Sequence, residues 1–168
     1  MSTKTKHLPP IHSRQSVSDA FVSILRNNLT DVVTWQDVAR TWDDIEGVHQ
    51  LRVCFRRMRS ALSVFRDAIP REQTAAMADE MRWIAGELGP ARDLDVFISE
   101  GLGAVASMLP LKGEEALRKV AEERRAQVYE NQVRVMLDSE RYHRFHEDFP
   151  QWLEARPWEQ AEMSKKRA

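Results

Sequence analysis

One helical period dominates the stretch from Asp44 to Pro70 and constrains the fold more than any other feature of the sequence. Apolar side chains recur there at alternating steps of three and four residues, at Val48, Leu51, Phe55, Met58, Leu62, Phe65 and Ile69. This spacing places them on one face of a helix, and such a face needs neighbouring elements to cover it. The stretch therefore predicts a helix packed into the core of a folded domain.

A row of basic side chains follows the apolar face of this helix one residue later. It comprises His49, Arg52, Arg56 and Arg59, and Arg66 extends it. At about 100° per residue, the row lies about 100° round the helix from the centre of the apolar face. We therefore expect the cationic heads to lie at the margin of the core, partly enclosed.

Helical periods also run through the segment before this helix. Ser16 with Asp19 three residues later is typical of a capped helix start. The apolar pattern then continues as far as Trp42. The polar pairs at 27–28 and 30–31 mark where we expect this first helix to bend or divide.

The rest of the chain, after Pro70, also favours helices. We expect them over about 71–88, where Gly89-Pro90 stops the helix, then over 112–137 and 139–153, with Trp158 laid on the core. The helical content of the short segment after Phe97, which ends in the small residues of 101–107, is left open. The sequence thus predicts an all-α helical bundle at 16–158, preceded by a disordered lead-in at 1–15 and followed by a tail at 159–168.

Composition excludes several classes of function. The 168 residues include 25 basic and 26 acidic side chains, so a formal net charge of −1 argues against general affinity for nucleic acid. Cys54 is the only cysteine, so no internal disulfide can form, and no Cys/His zinc spacing is present. No apolar run is long enough to span a membrane. We expect a cytoplasmic protein with no cofactor and no bound metal.

The chemistry of arginine suits the basic row to phosphate or carboxylate, because its planar fork of donors stays charged at any ordinary pH. A row with one cation at each helical turn could track a linear polyanion. Arg92, after Gly89-Pro90, adds a second basic element at a helix junction. The alternative is a helical protein-interaction module, whose arginines pair with acidic partners or with internal carboxylates.

Catalysis has little support in the sequence. Asp93 and Asp95 could hold Mg²⁺, but a hard cation normally needs more oxygen ligands, so capping and salt bridging are favoured. His143 and His146 have no third metal ligand nearby. We therefore expect a protein that is not an enzyme, and we treat metal-dependent phosphate hydrolysis as the weakest alternative.

Two segments resemble the signatures of the CHAD family, the conserved histidine α-helical domain. The first is GVHQLRV at 47–53, followed by RRMR at 56–59, and the second is LGPARDLDV at 88–96. Segments 138–142 and 152–153 are also similar to the family's later helices. The similarity extends over roughly 21–158.

The resemblance implies a helical domain that binds inorganic polyphosphate in a cleft lined by basic residues. Matching positions imply phosphate contact by His49, Arg52, Arg56, Arg57, Arg59 and Arg92, with Arg125 and Arg141 completing the cleft on later helices. The family domain usually has two similar halves, and this chain carries the histidine-and-arginine helix only once. A homodimer, in which a second copy supplies the missing half, is the partner arrangement we expect.

Overall fold

The computed structural model describes residues 11–108 and 112–160, and every regular element within them is helical. The prediction of an all-α fold is confirmed. The helices are α1 (Val17–Thr41), α2 (Glu46–Val64), α3 (Arg71–Glu87), α4 (Gly89–Val96), α5 (Leu102–Met108), α6 (Glu114–Val128), α7 (Arg134–Leu137) and α8 (Glu140–Ala155). Two π turns, Phe97–Gly101 and Tyr129–Val133, join α4 to α5 and α6 to α7.

Helix α1 begins where the sequence predicts. The Ser16 hydroxyl oxygen accepts a hydrogen bond from the Asp19 backbone N–H at 3.0 Å, which satisfies one free donor of the first turn. The prediction that α1 divides near 27–31 is wrong. The Asn28 amide donates to the Ile24 carbonyl at 2.8 Å and the Thr30 hydroxyl donates to the Arg26 carbonyl, so these side chains bond within an unbroken helix.

A glycine lets α2 cross very close to α1. A Cβ atom added to Gly47 would lie 2.5 Å from the Ala39 nitrogen and 2.7 Å from the Val38 carbonyl carbon, both of them backbone atoms of α1. No side chain fits at that distance. The absence of a Cβ at this position therefore fixes the start of α2, and with it the placement of the basic row.

The apolar face of α2 forms the centre of the core. The residues predicted for this face are buried, except for Phe65, which is partly buried against the same cluster. The helix is shorter than the predicted stretch, because α2 ends at Val64 and Phe65 and Ile69 lie in the turn that follows. Helices α1, α3 and α8 cover this face with buried side chains, among them Leu25, Met81 and Phe149. Trp158 also reaches the core, with its ring 5.2 Å from that of Phe21, as the sequence predicts.

The chain continues as helix beyond Gly89-Pro90. Helix α3 ends at Glu87, but α4 begins at Gly89 rather than giving way to a loop. Pro90 has no N–H to extend the ladder of α3, yet its fixed φ suits the first turn of a new helix. The segment left open by the sequence is therefore helical as far as Met108.

The predicted terminal segments fall largely outside the described residues, namely 1–10 of the lead-in and 161–168 of the tail. Glu159, the first residue of the predicted tail, is helical, and its carboxylate accepts a hydrogen bond from the Ser18 hydroxyl at 2.5 Å. Across 11–108 and 112–160, none of the helices is both long and apolar enough to cross a membrane.

Candidate anion-binding groove

A groove of about 300 Å³ opens where α2 meets the junction of α3 and α4. The basic row of α2 supplies most of its wall, and α3 and α4 each add one residue. The lining residues are His49, Arg52, Val53, Arg56, Arg59, Ala85 and Arg92. Five of the eight predicted phosphate-contacting residues thus come together in one groove.

Arg52 is held in place by the backbone of α3. Its Nη1 donates a hydrogen bond to the Ala85 carbonyl at 2.6 Å. The same Nη1 lies 3.5 Å from where a Cβ on Gly89 would be, so the small residue at the helix junction gives the guanidinium room. Only one of the five guanidinium N–H groups makes this bond, which leaves further donors available to a ligand.

The positive charge of this groove is not neutralised by neighbouring carboxylates. Among residues 11–108 and 112–160, no acidic side chain forms an ion pair within 4.0 Å of His49, Arg52, Arg56, Arg59 or Arg92. Most other arginines in this part of the chain do have a carboxylate partner. Clustered cations without counter-charges attract an external anion, even when the whole chain is close to neutral.

A second groove, of about 550 Å³, adjoins the first along α2 and α3. Arg56 and Arg59 line both. The additional basic residues are Arg66, which extends the predicted row, and Arg71 and Arg82, which sequence reasoning missed. The sequence does contain a pattern that could have identified these two arginines. They share one helical face of α3 with Ala78 and Ala85, and Ala85 lines the first groove.

Arg125 lies outside both grooves, although the resemblance assigns it to phosphate contact. Its Nε donates to an Asp95 carboxylate oxygen at 2.6 Å, and its Nη2 donates to the Trp42 carbonyl at 3.3 Å. The guanidinium also lies 4.7 Å from the ring centroid of Tyr129. These contacts tie α6 to α4 and to the end of α1, so the geometry gives Arg125 a role in packing.

Arg141 also lies away from the basic row, on the side of the molecule where α8 packs on α3. Its Nε and Nη2 donate to the two carboxylate oxygens of Glu80 at 2.8 and 3.1 Å, a bidentate pair. The guanidinium stacks over Trp83 at 4.1 Å from the ring centroid. The hydrogen bonds to Glu80 raise the pKa of Arg141, so the pair stays charged.

Arg57 does not line either groove, in agreement with its position one residue off the basic row. Its charge acts instead on the buried thiol of Cys54. Burial raises the pKa of that thiol to about 11, and the nearby carboxylate of Asp31 adds to the rise, whereas Arg57 opposes it. The structure therefore places Arg57 near Cys54 and outside both grooves.

The acidic residues of the second signature have separate surroundings. Asp95 is buried and bonded to Arg125 and Tyr129, whereas Asp93 is exposed. The prediction of salt bridging is confirmed for Asp95. No group of three or more His, Cys, Asp or Glu side chains positioned to hold a metal ion occurs in the part of the chain that the structure describes.

His146 shows how a buried imidazole is accommodated without a ligand role. Its ring packs against those of Tyr142 and Phe145, and its Nε2 is buried without a hydrogen-bond partner among the described residues. Burial lowers the pKa of His146, and the neighbouring His143 lowers it further. The neutral ring is therefore the form that the core accepts.

The fold and the groove define an all-α protein with a concentrated cationic site, and sequence comparison gives its family. The family model of the CHAD domain matches residues 23–168. Because the match covers most of the chain, the protein belongs to the CHAD domain family.

The crystal structure of the CHAD domain from the plant Ricinus communis is a structural relative with a TM-score of 0.74 and 28% sequence identity. The match covers 88% of this chain but only 50% of that one. Two uncharacterized proteins of Mycobacterium tuberculosis, from strains CDC 1551 and H37Rv, are each 30% identical over 82 residues. That region is 49% of this chain and 16% of each relative, so the chain is similar to a small part of much longer proteins.

Proposed function

We propose that this protein binds inorganic polyphosphate, without catalysis, in the groove lined by the basic row of α2 and by Arg92. The observation that supports this most directly is that the cations of the groove have no carboxylate partner among the described residues. Arginines with internal partners, such as Arg125 and Arg141, lie elsewhere. Membership of the CHAD family, with the function that its signatures imply, agrees with this assignment.

The energetics favour a polyanion over a single phosphate. Each charge-assisted hydrogen bond contributes about 1.5–3 kcal/mol, and several are needed to offset desolvation and the ordering of long side chains. A chain of linked phosphates engages several guanidinium groups at once. One phosphate ion can reach only two or three of them.

The test is a titration of long-chain polyphosphate into the protein at several salt concentrations. Intact protein is expected to bind tightly at low salt and more weakly as salt rises, by release of counterions. The variant Arg56→Ala with Arg59→Ala should lose most of this affinity. The matched control, Arg124→Ala with Arg144→Ala, removes the same charge from exposed positions outside the groove and should bind nearly as the intact protein does.

Four other outcomes would contradict the proposal. Binding that is equal in the two double variants would make the groove irrelevant. Single-stranded DNA that binds as tightly as polyphosphate would point to nucleic acid as the ligand. Failure of the folded protein to bind polyphosphate at low salt would favour the alternative of an acidic protein partner. Phosphate release in the presence of Mg²⁺ would contradict the non-catalytic assignment.

We further propose that two copies form a dimer in which each supplies the half that the other lacks. The match covers only 50% of the Ricinus chain, which supports a second half contributed by another copy. Large apolar side chains are also exposed on α5 and α6, namely Val105, Met108, Leu117 and Val120. A second copy covering these side chains would bury apolar surface that water now contacts.

The mass of the protein in solution tests the dimer. Light scattering should give twice the mass of one chain, and Leu117→Glu with Val120→Glu should give a folded monomer. A single-chain mass for the unaltered protein would contradict the dimer and would favour a different partner for this surface. We also propose that the protein lies in the cytoplasm, because a free thiol such as that of Cys54 is typical of a reducing compartment.

A further inference from the structure

We propose that the second groove is an outer subsite for the same ligand, formed by Arg66, Arg71 and Arg82 and occupied only by long polyphosphate chains. The inference rests on the proposed function and adds three residues to it. The inner subsite is the groove of His49, Arg52 and Arg92. Short chains bind only at this inner subsite.

Continuity between the two subsites is the first observation. Arg56 and Arg59 line both grooves, so no wall of other residues separates them. Helix α2 rises about 1.5 Å per residue, so it extends about 18 Å from Arg52 to its end at Val64, and Arg66 lies in the turn beyond that end. A triphosphate is too short to span that distance. A long chain can follow the whole row.

The chemistry of the outer subsite is the second observation. Arg71, at the first position of α3, has no ion-pair partner among the described residues. Arg66 lies 3.8 Å from Asp67 and Arg82 pairs with Asp79, but both pairs are exposed to solvent. Exposed pairs are weak and can be exchanged for a phosphate contact. The hydroxyls of Ser60 and Ser63 line the same groove and add neutral donors.

The two subsites differ in how they hold their arginines. In the inner one, Arg52 and Arg92 are partly buried and Arg52 is bonded to the backbone of α3. In the outer one, the side chains of Arg66 and Arg82 are 75% and 59% exposed, and the space between the helices is larger. The inner subsite is therefore preorganised for a few phosphates, whereas the outer one adds contacts as the chain lengthens.

The test compares two ligands, tripolyphosphate and a long-chain polyphosphate, with three double variants at one low salt concentration. The outer variant is Arg71→Ala with Arg82→Ala, and the inner variant is Arg52→Ala with Arg92→Ala. The control is Arg124→Ala with Arg144→Ala. Each of the three removes two positive charges, and circular dichroism tests whether each remains helical.

The outer variant should bind the long chain at least about tenfold more weakly, because the loss of one charge-assisted contact lowers affinity by roughly a factor of ten. Its affinity for tripolyphosphate should match that of the control. The inner variant should lose affinity for both ligands. The salt dependence of long-chain binding should also become shallower in the outer variant.

Two results would overturn the outer subsite while the proposed function stands. In one, the outer variant binds both ligands as the control does. In the other, the outer variant loses affinity equally for both ligands, so that Arg71 and Arg82 contribute only non-specific electrostatic attraction. If the intact protein binds neither ligand, the proposed function fails and the subsite fails with it. The single variant Arg71→Ala, which breaks no ion pair, repeats the comparison should the double variant unfold.

Discussion

Asp95 and Arg125 form a buried ion pair between α4 and α6, with the Arg125 Nε 2.6 Å from a carboxylate oxygen of Asp95. The second oxygen of Asp95 accepts a hydrogen bond from the Tyr129 hydroxyl at 2.7 Å. Asp95 lies two residues before the first π turn, and Tyr129 is the first residue of the second. The contacts of Asp95 therefore join α4 and α6 close to the points where each helix passes into a π turn.

Replacing Asp95 by Ala should destabilise the fold by about 3–5 kcal/mol, because it leaves Arg125 largely buried without its counter-charge and the Tyr129 hydroxyl without its partner. Urea denaturation gives the free energy of unfolding. Asp93→Ala is the matched control, since Asp93 is exposed two residues earlier, and its effect should stay within about 0.5 kcal/mol. Equal effects of the two changes would show that the pair is not a stabilising contact.

This pair also marks the limit of what the sequence could predict about the site. The basic row on α2 follows from local periodicity, and five predicted residues do meet in one groove. The partners of Arg125 and Arg141 lie 30 and 61 residues away in the chain, so no local spacing reveals that these arginines are paired. The family resemblance assigns both arginines to the cleft, whereas their contacts in the structure hold them outside the two grooves.

The fold could likewise be predicted only where it depends on residues close together in the sequence. Ser16 and the apolar face of α2 were predictable because capping and burial depend on residues close in sequence. The continuation of α1 through Asn28 was not, since an amide that bonds within its own helix looks the same in sequence as one that ends it. The π turns were not predictable either, because the shift that one extra residue puts into the apolar pattern looks the same in sequence as the end of one helix and the start of another.

His146 should make the protein less stable as the pH falls. Its pKa is lowered in the folded state, so below the unfolded value of about 6.5 the unfolded chain binds a proton that the folded chain does not. Stability is lost from that pH down to the lowered pKa. The variant His146→Leu should lack this component when urea denaturation is compared at about pH 7.5 and pH 5.

The control for this pH effect is His143→Gln, a change at an exposed position one turn earlier. It should keep most of the pH dependence of the intact protein. If His146→Leu retains the full dependence, other groups are responsible, such as the carboxylates paired with Arg156.

Cys54 should be unreactive in the folded protein. The thiol is buried and its pKa is raised to about 11, so near pH 8 only about a thousandth of it is the nucleophilic thiolate. Ellman's reagent should modify it slowly without denaturant and rapidly once urea unfolds the chain. Rapid modification of the folded protein would mean that α1 and α2 separate readily.

Gly47 and Gly86 should respond in opposite directions to substitution by alanine. A Cβ at position 47 would meet the backbone of α1 at 2.5 Å, and backbone cannot yield as a side chain can, so Gly47→Ala should cost about 3 kcal/mol or more. At position 86, within α3, nothing lies within 4 Å, so Gly86→Ala should stabilise the helix by about 0.5–1 kcal/mol. Thermal and urea denaturation of both variants measure this contrast. Because the crossing at Gly47 positions the basic row, Gly47→Ala should also weaken polyphosphate binding, whereas Gly86→Ala should leave binding unchanged. If the Gly47→Ala protein is as stable as the intact one, α2 can shift away from α1 without a cost in stability.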